Sequence, residues 1–307
     1  MKYKISWEFF PFCFFKPPIN EKFLALAVPH MKVPKFLFRD KELSVTRHEV
    51  ESFDGERVEC FLLRPRELSG NAPTLVYIHG GGFVLPAADY HYKNAMKYAK
   101  ELNCAVVFVN YRLAPKHPHP IFFEDCYAAL CWAYDSADTL GIDRDNIGIG
   151  GDSAGATLAV GALMMAIDRG HPIRLCFQML PYPFLDARGE SESYKKYTDT
   201  PMWNSTLSEK VGPMTRVDRD SPLYTCYSPV ERESFSGLPP AYIETAEFDC
   251  LHDDGILYAS LLRDAGIPVT LNETVGTMHG FDIVTGAKTT RAALDSRIAF
   301  MKEYFKR

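Results

Sequence analysis

The chain has 307 residues, 47% of them hydrophobic, and a formal net charge of −5 at pH 7. That length suits one α/β enzyme domain carrying insertions, with ample apolar material for a large core. The mildly acidic balance, without a run of five or more basic residues, excludes nucleic acid as a partner on electrostatic grounds. Eight cysteines are scattered without C-x-x-C pairs, several of them in apolar patterns such as Cys104-Ala-Val-Val-Phe. They read as reduced, buried small hydrophobes, which points to the cytoplasm.

In chain order, the aromatic stretch Ile5 to Phe15 follows Lys2 and Lys4, is interrupted by Glu8 and Pro11, and ends at Lys16-Pro17-Pro18. It has neither the small-residue cleavage site of a secretory signal nor the length of a membrane span. No other stretch approaches ~20 uninterrupted apolar residues. Residues 1–40 therefore read as an irregular arm, helical only from Glu21 to Val28, that packs over the rest of the protein; contact with a membrane surface is the other reading. Two alternating segments, Leu43 to Ser52 and Glu56 to Arg64, flank Asp54-Gly55 and predict a β-hairpin. Thr74 to Ile78 is a continuous apolar strand, followed by a helix over 91–102, a second buried strand from Cys104 to Val109 and a helix over 121–139.

The centre of the chain is Asn146 to Ala156, where a short strand breaks at Gly151-Asp152-Ser153-Ala154-Gly155 into an apolar helix reaching Ile167. A strand over 174–180 follows. Residues 184–238 then lose the rhythm and read as an insertion. The alternation resumes with a strand over 241–246, a helix over 254–265, a strand over 268–275 and a last helix over 289–305. Strands alternating with helices imply a parallel sheet with crossover connections, in one domain without repeats or linkers.

The chemistry resides in residues that fall at strand ends, where open parallel sheets gather their sites. Ser153 between flanking glycines fits a tight strand-to-helix turn that presents a hydroxyl, although a plain glycine turn has the same five residues. A serine hydroxyl needs a base, an orienter for the base and donors for an oxyanion. Among nine histidines, His279 in Gly276-Thr-Met-His-Gly-Phe281 lies in the loop after the last strand and downstream of the serine. His252 is its weaker rival. Asp249 is the first aspartate beyond the strand over 241–246 and is favoured on position over Asp253 and Asp254, which fall where the next helix starts and read as N-caps or as carboxylates stabilised by the helix dipole. His79-Gly80-Gly81-Gly82 ends an earlier strand; Gly81 and Gly82, with Ala154 after the serine, are candidate N–H donors. No Gly-Lys-Ser/Thr follows to suggest a phosphate cradle. His117-Pro118-His119 lacks a carboxylate or cysteine at ligand spacing and reads as a surface loop, so neither a metal nor a cofactor is expected.

Five motifs in order carry a resemblance: His79-Gly-Gly-Gly82, Tyr111-Arg-Leu-Ala-Pro115, Gly151-Asp-Ser-Ala-Gly155, Asp249-x-Leu251 and His279-Gly-Phe281. Together they resemble the hormone-sensitive-lipase-like family of bacterial carboxylesterases. The resemblance implies an α/β-hydrolase fold with a mostly parallel eight-stranded sheet flanked by helices. It also implies a cap from the arm at about 1–40 and the insertion at about 184–238, after the sixth strand. The expected activity is hydrolysis of short- to medium-chain acyl esters through Ser153, Asp249 and His279, with Gly81, Gly82 and Ala154 as the oxyanion hole. Phe83, Tyr182, Phe184, Trp203 and Phe281 are candidate substrate-pocket aromatics, with ordinary core packing as the alternative for each. The departures are Lys116 where the family has glutamate, Ala156 for glycine, and Cys250 for the proline after the acid. Family members often dimerise, which implies a homodimer. Deacetylation of acetylated sugars or xylan fragments is the alternative activity. A non-catalytic ligand receptor on this fold is a further one, against which the presence of His279 counts.

Overall fold

The computed structural model describes residues 2–15, 17 and 19–305; Lys16 and Pro18, read above as the end of the aromatic stretch, lie outside them. Its framework is one eight-stranded sheet in the order β1-β2-β4-β3-β5-β6-β7-β8. The arm comes first, with a 3-10 turn over Trp7–Phe12, α1 over Glu21–Ala27 and two further 3-10 turns over Val28–His30 and Lys35–Arg39. Strands β1 (Leu43–Glu51) and β2 (Arg57–Pro65) form the hairpin expected around Asp54-Gly55, where Gly55 takes φ +79°. Strand β2 pairs antiparallel with β4, and β3 to β8 run parallel.

The parallel part alternates as β3 (Ala72–Ile78), α2 (Asp89–Leu102), β4 (Ala105–Asn110), α3 (Ile121–Asp135), α4 (Ala137–Leu140), β5 (Ile142–Gly151), α5 (Ala154–Asp168) and β6 (Gln178–Pro181). The insertion holds α6 (Glu192–Lys196), α7 (Ser205–Thr215) and α8 (Tyr224–Tyr227). Strand β7 (Ala241–Phe248), α9 (His252–Asp264), β8 (Val269–Met278) and α10 (Lys288–Tyr304) complete the chain.

The two-residue side-chain period of a strand divides the core between the faces of the sheet. On β3, Val76 and Ile78 join the cluster containing α3, α5 and α9, whereas Leu75 and Tyr77 join the cluster containing α2 and α10. Helix α5 is apolar all round and accordingly buried over nearly its whole length, with Gly161 leaving room for the ring of Phe123.

Strands β7 and β8 run two or three residues beyond the ends expected for them, and two other elements differ more. The single helix expected over 121–139 breaks at Ser136 into α3 and α4, and Gly141 then turns the chain with φ +65°. The strand expected over 174–180 narrows to β6, although Cys176 N–H still donates to Ile147 O at 2.8 Å. Residues 174–177 keep such single contacts with β5 without entering the regular ladder, whose pairs with β5 begin at Gln178.

A buried ionic cluster ties α10 to the sheet. Arg297 donates to Glu244 on β7 at 2.5 Å and to Asp282 at 2.9 Å, and all three side chains are shielded from solvent. Removing the guanidinium leaves two carboxylates without their cation, a loss that costs about 3–5 kcal/mol in buried pairs. Arg297→Ala should lower the unfolding free energy by roughly that amount, read by urea denaturation.

Candidate active site

The site begins where β5 collides with β3. A Cβ on Gly151 or on Gly155 would overlap the carbonyl oxygen of Ile78, so only glycine fits either position. Between them Ser153 adopts φ +55° and ψ −123°, a conformation side chains rarely take, and its N–H is held by Pro181 O at 3.0 Å. The turn thrusts the Ser153 hydroxyl away from the sheet at the start of α5.

Ser153 Oγ lies 2.8 Å from His279 Nε2, and His279 Nδ1 lies 2.7 Å from Asp249 Oδ2. Asp249 has no exposed surface, so its carboxylate fixes the Nδ1–H tautomer and leaves Nε2 to accept the serine proton. Its other oxygen accepts the Leu251 N–H at 3.0 Å, which sets the carboxylate's angle. These three residues come from the ends of β5, β7 and β8, as strand-end placement requires. His252 turns instead to Asp253, with Nδ1 2.9 Å from Oδ1.

Asp253 and Asp254 lie in the first turn of α9, where the helix dipole favours carboxylates, while the N-cap position is held by Leu251. Asp253 accepts the N–H of Ser193 at 2.8 Å, and Asp254 accepts those of Leu185 and Asp186 at 3.2 Å each, fixing the start of the insertion. Burial and the neighbouring charge of Asp186 push the Asp254 carboxyl well above its ordinary range. His119 faces Ser221, with Nε2 3.1 Å from Oγ, and among the described residues no group of three His, Cys, Asp or Glu side chains is placed to hold a metal ion.

Gly82, Phe83, Ser153, Ala154, Phe184, Trp203 and Leu251 line one cavity of about 40 Å³. The Trp203 ring lies so close over Gly82 that a Cβ there would come within 2.5 Å of it. Among the described residues, the amide N–H groups of Gly81, Gly82 and Ala154 have no protein acceptor. Gly82 and Ala154 border the cavity, and Gly81 precedes them with φ +123°.

Two of the aromatic candidates do not line it. Tyr182 packs edge-on against the His279 ring with centroids 5.0 Å apart, and its hydroxyl donates to Asp282 at 2.6 Å. Phe281 is completely buried between Tyr182 and Phe9 of the arm. Both rings form the packing behind the imidazole. Conversely, Ser208, Val211 and Thr215 from α7, with Tyr227, complete the cavity wall. Their spacing of three and four residues along one helix face was the available sequence signal.

Under the serine, Asp152 is a buried carboxylate that accepts from Tyr77 Oη at 2.7 Å and pairs with His91 Nε2 at 3.1 Å. His91 Nδ1 accepts the Ala88 N–H, so the Nε2–H points at Asp152. Burial pushes the Asp152 carboxyl upward, but His91 and Tyr77 outweigh it and hold the group well below the usual carboxylate range. The neighbouring His79 is buried against Tyr111 at 4.5 Å, and desolvation pushes its imidazole down to about 3, so it is neutral.

A hydroxyl on an imidazole, that imidazole on a buried carboxylate, and free amides beside them can carry acyl transfer. The fold and this arrangement define the class as serine hydrolases built on the α/β-hydrolase sheet. A family model described as alpha/beta hydrolase fold matches residues 75–283, and the chain belongs to that family, in its hormone-sensitive-lipase-like branch. It is 38% identical to Carboxylesterase NlhH of Mycobacterium tuberculosis over 221 residues, 71% of this chain and 69% of the relative. It is 29% identical to an arylesterase of Saccharolobus solfataricus over 289 residues, 94% and 89% of the two chains. The solved structure of a bacterial heroin esterase matches with a TM-score of 0.81 at 30% identity, covering 94% of this chain and 99% of that one.

The depressed Asp152 carboxyl means that folding favours its ionised form. The resulting stabilisation is full above the unfolded pKa near about 4 and is lost as pH falls through it toward the folded value. The difference in urea stability between the wild type and Asp152→Asn should therefore be largest near neutral pH and shrink below about pH 4. A difference constant from neutral to acid pH would remove Asp152 from this linkage.

Proposed function

We propose that this carboxylic-ester hydrolase cleaves short- to medium-chain acyl esters, with a preference for the short ones, by a two-step acyl-enzyme mechanism. The observation that carries the reading is the unbroken chain from Ser153 Oγ through His279 to the buried Asp249. His279 Nε2 takes the Ser153 proton as Oγ attacks the ester carbonyl. The N–H groups of Gly81, Gly82 and Ala154 receive the oxyanion, and losing one such donor typically costs about 10²- to 10³-fold in kcat. The tetrahedral species collapses as the imidazolium protonates the departing alcohol, and water then attacks the acyl-serine with His279 again as base. Asp249 holds the imidazole in place and stabilises its charged form.

The arm and the 184–238 insertion act as a cap on a single domain. Their contacts support this: Met202 N–H donates to Phe15 O at 3.0 Å, and Trp203 and α7 wall the cavity beside Ser153. A cavity of about 40 Å³ holds only a few water-sized groups, which favours acetyl and similarly short chains. A cytoplasmic site of action is supported by the cysteine usage, since the eight cysteines are scattered through the chain without C-x-x-C pairs and several fall in apolar patterns. For the homodimer, β1 and β8 offer edges that have a sheet neighbour on one side only.

Deacetylation of acetylated sugars stands as a second reading because of one observation. A polar cavity of about 690 Å³ adjoins the first, sharing Phe184, Ser208 and Tyr227 and bordered by Asp186, Arg188, Glu209, Arg216 and Asp218. Such a wall suits a hydroxyl-rich alcohol better than an alkyl one.

Ser153→Ala should abolish hydrolysis of p-nitrophenyl acetate while leaving the thermal transition nearly unchanged; an active, folded variant would sink the mechanism. Asp249→Asn should stay folded and lose roughly 10⁴-fold in kcat, the scale of the serine-protease template. In a panel of nitrophenyl esters and acetylated sugars, kcat/KM should be highest for the shortest acyl groups. A preference for long chains would contradict the small cavity, and a clear preference for acetylated sugars over nitrophenyl acetate would select the second reading.

A further inference from the structure

We propose that the amino-terminal arm attaches the protein to an anionic membrane surface. Apolar exposure on this molecule is concentrated in the arm. Among the described residues nine large hydrophobic side chains stand exposed, and seven of them belong to residues 7–38: Trp7, Phe10, Phe14, Phe15, Leu26, Met31 and Phe38. Trp7 and Phe14 are 72% and 70% exposed, which is far from the usual position of an aromatic ring in a soluble domain. They cluster, since Phe10 packs edge-on against Trp7 at 4.4 Å and against Phe14 at 5.7 Å. Val275, 77% exposed, borders the same region, because the adjacent Gly276 O accepts the Ser6 N–H at 2.7 Å.

The patch is held rigidly. The opposite side of the same 3-10 turn is anchored: Phe9 is buried against Phe281, and the Glu8 carboxylate accepts the N–H groups of Lys288 and Thr289 at the start of α10. An arm that served only as packing would turn its aromatics inward, as Phe9 does. Here the inward ring fixes the segment and the outward rings remain in water.

Charge selects the occupant. Residues 1–41 contain eight Lys and Arg against three Asp and Glu, whereas the rest of the chain contains 26 against 36. Lys4, Lys22, Lys32, Lys35, Arg39 and Lys41 are all exposed. A basic segment with outward Trp and Phe on an acidic body matches the interface of an anionic leaflet, where rings enter the acyl boundary and lysines meet headgroups. A second copy of this chain would instead bring two like-charged arms together. Attachment would place the mouth beside Trp203 near esters dissolved in the membrane; that consequence rests on the esterase reading, while the attachment itself does not.

The test sediments the full chain with sucrose-loaded vesicles of phosphatidylcholine alone or mixed with phosphatidylglycerol. Binding to the phosphatidylglycerol vesicles, weakening as sodium chloride is raised, is the expected result. Trp7→Ser, Phe10→Ser and Phe14→Ser combined should lower it roughly tenfold or more while leaving hydrolysis of soluble p-nitrophenyl acetate unchanged. If the combined variant loses that activity, Trp7→Ser and Phe14→Ser singly carry the same comparison. Ser153→Ala protein should bind the vesicles as the wild type does, so that attachment and esterase chemistry fail separately. Absence of binding to the anionic vesicles, or equal binding by the aromatic variants, overturns the proposal. So does a wild-type dimer that the aromatic variants turn into a monomer, since a second copy would then cover the patch.

Discussion

The contact on which the rest of the site depends is backbone against backbone. Where β5 turns into α5, Gly151 and Gly155 press against the carbonyl of Ile78, with no space for a side chain at either position. That approach forces the residue between them into φ +55°, a costly conformation for serine that persists only because both neighbouring elements are rigid. Strand β5 pairs with β3 from Thr74 to Ile78, and α5 is buried almost throughout. The strain is thus offset by core packing on the same face of the sheet, and the outcome is a hydroxyl standing clear of the strand ends.

Around this turn Asp152, Asp282 and Arg297 are buried polar groups with partners that explain them. Asp152 reaches down to Tyr77 and His91 and binds the turn to β3 and α2. Gly80, in the loop that carries the free amides, lies against Asp152, where a Cβ would come within 2.8 Å of its carbonyl oxygen. On the other side, Arg297 neutralises Asp282, Asp282 receives the Tyr182 hydroxyl, and the Tyr182 ring supports the His279 imidazole. Loop and serine are therefore positioned together through Asp152, and the histidine through the separate Arg297–Asp282–Tyr182 network. Each lies deep enough that losing one member would leave another unpaired in a medium of low polarity.

The insertion and the arm are less regular than the sheet, yet apolar packing holds both against it and a few polar contacts fix where they enter. Asp253 and Asp254 fix the entry of the insertion by accepting backbone N–H groups of Ser193, Leu185 and Asp186. Glu8 caps α10 from the opposite end of the chain, and Phe9 fills the space behind Phe281. A helix whose preceding residue is Ala287 has no side-chain cap of its own, which gives Glu8 a physical reason to be there.

The sheet, its parallel part and the positions of Ser153, Asp249 and His279 at strand ends were legible from sequence, because they follow from local periodicity and glycine placement. The same local signals misplaced what depends on partners. They ran one helix through Ser136 and extended the strand before Gln178, and although they placed Asp253 and Asp254 at the start of a helix they gave no sign that both carboxylates also accept N–H groups from another segment. They left Tyr182 and Phe281 open between a pocket and core packing, and the tertiary structure sets both in the packing behind His279 and brings Ser208, Val211 and Thr215 to the cavity. Which residues sit at the ends of strands follows from alternation and turns, which act over a few neighbours. Which side chains meet behind His279 and around the cavity is settled by the fold, because contacts between segments a hundred or more residues apart depend on packing that no local pattern records.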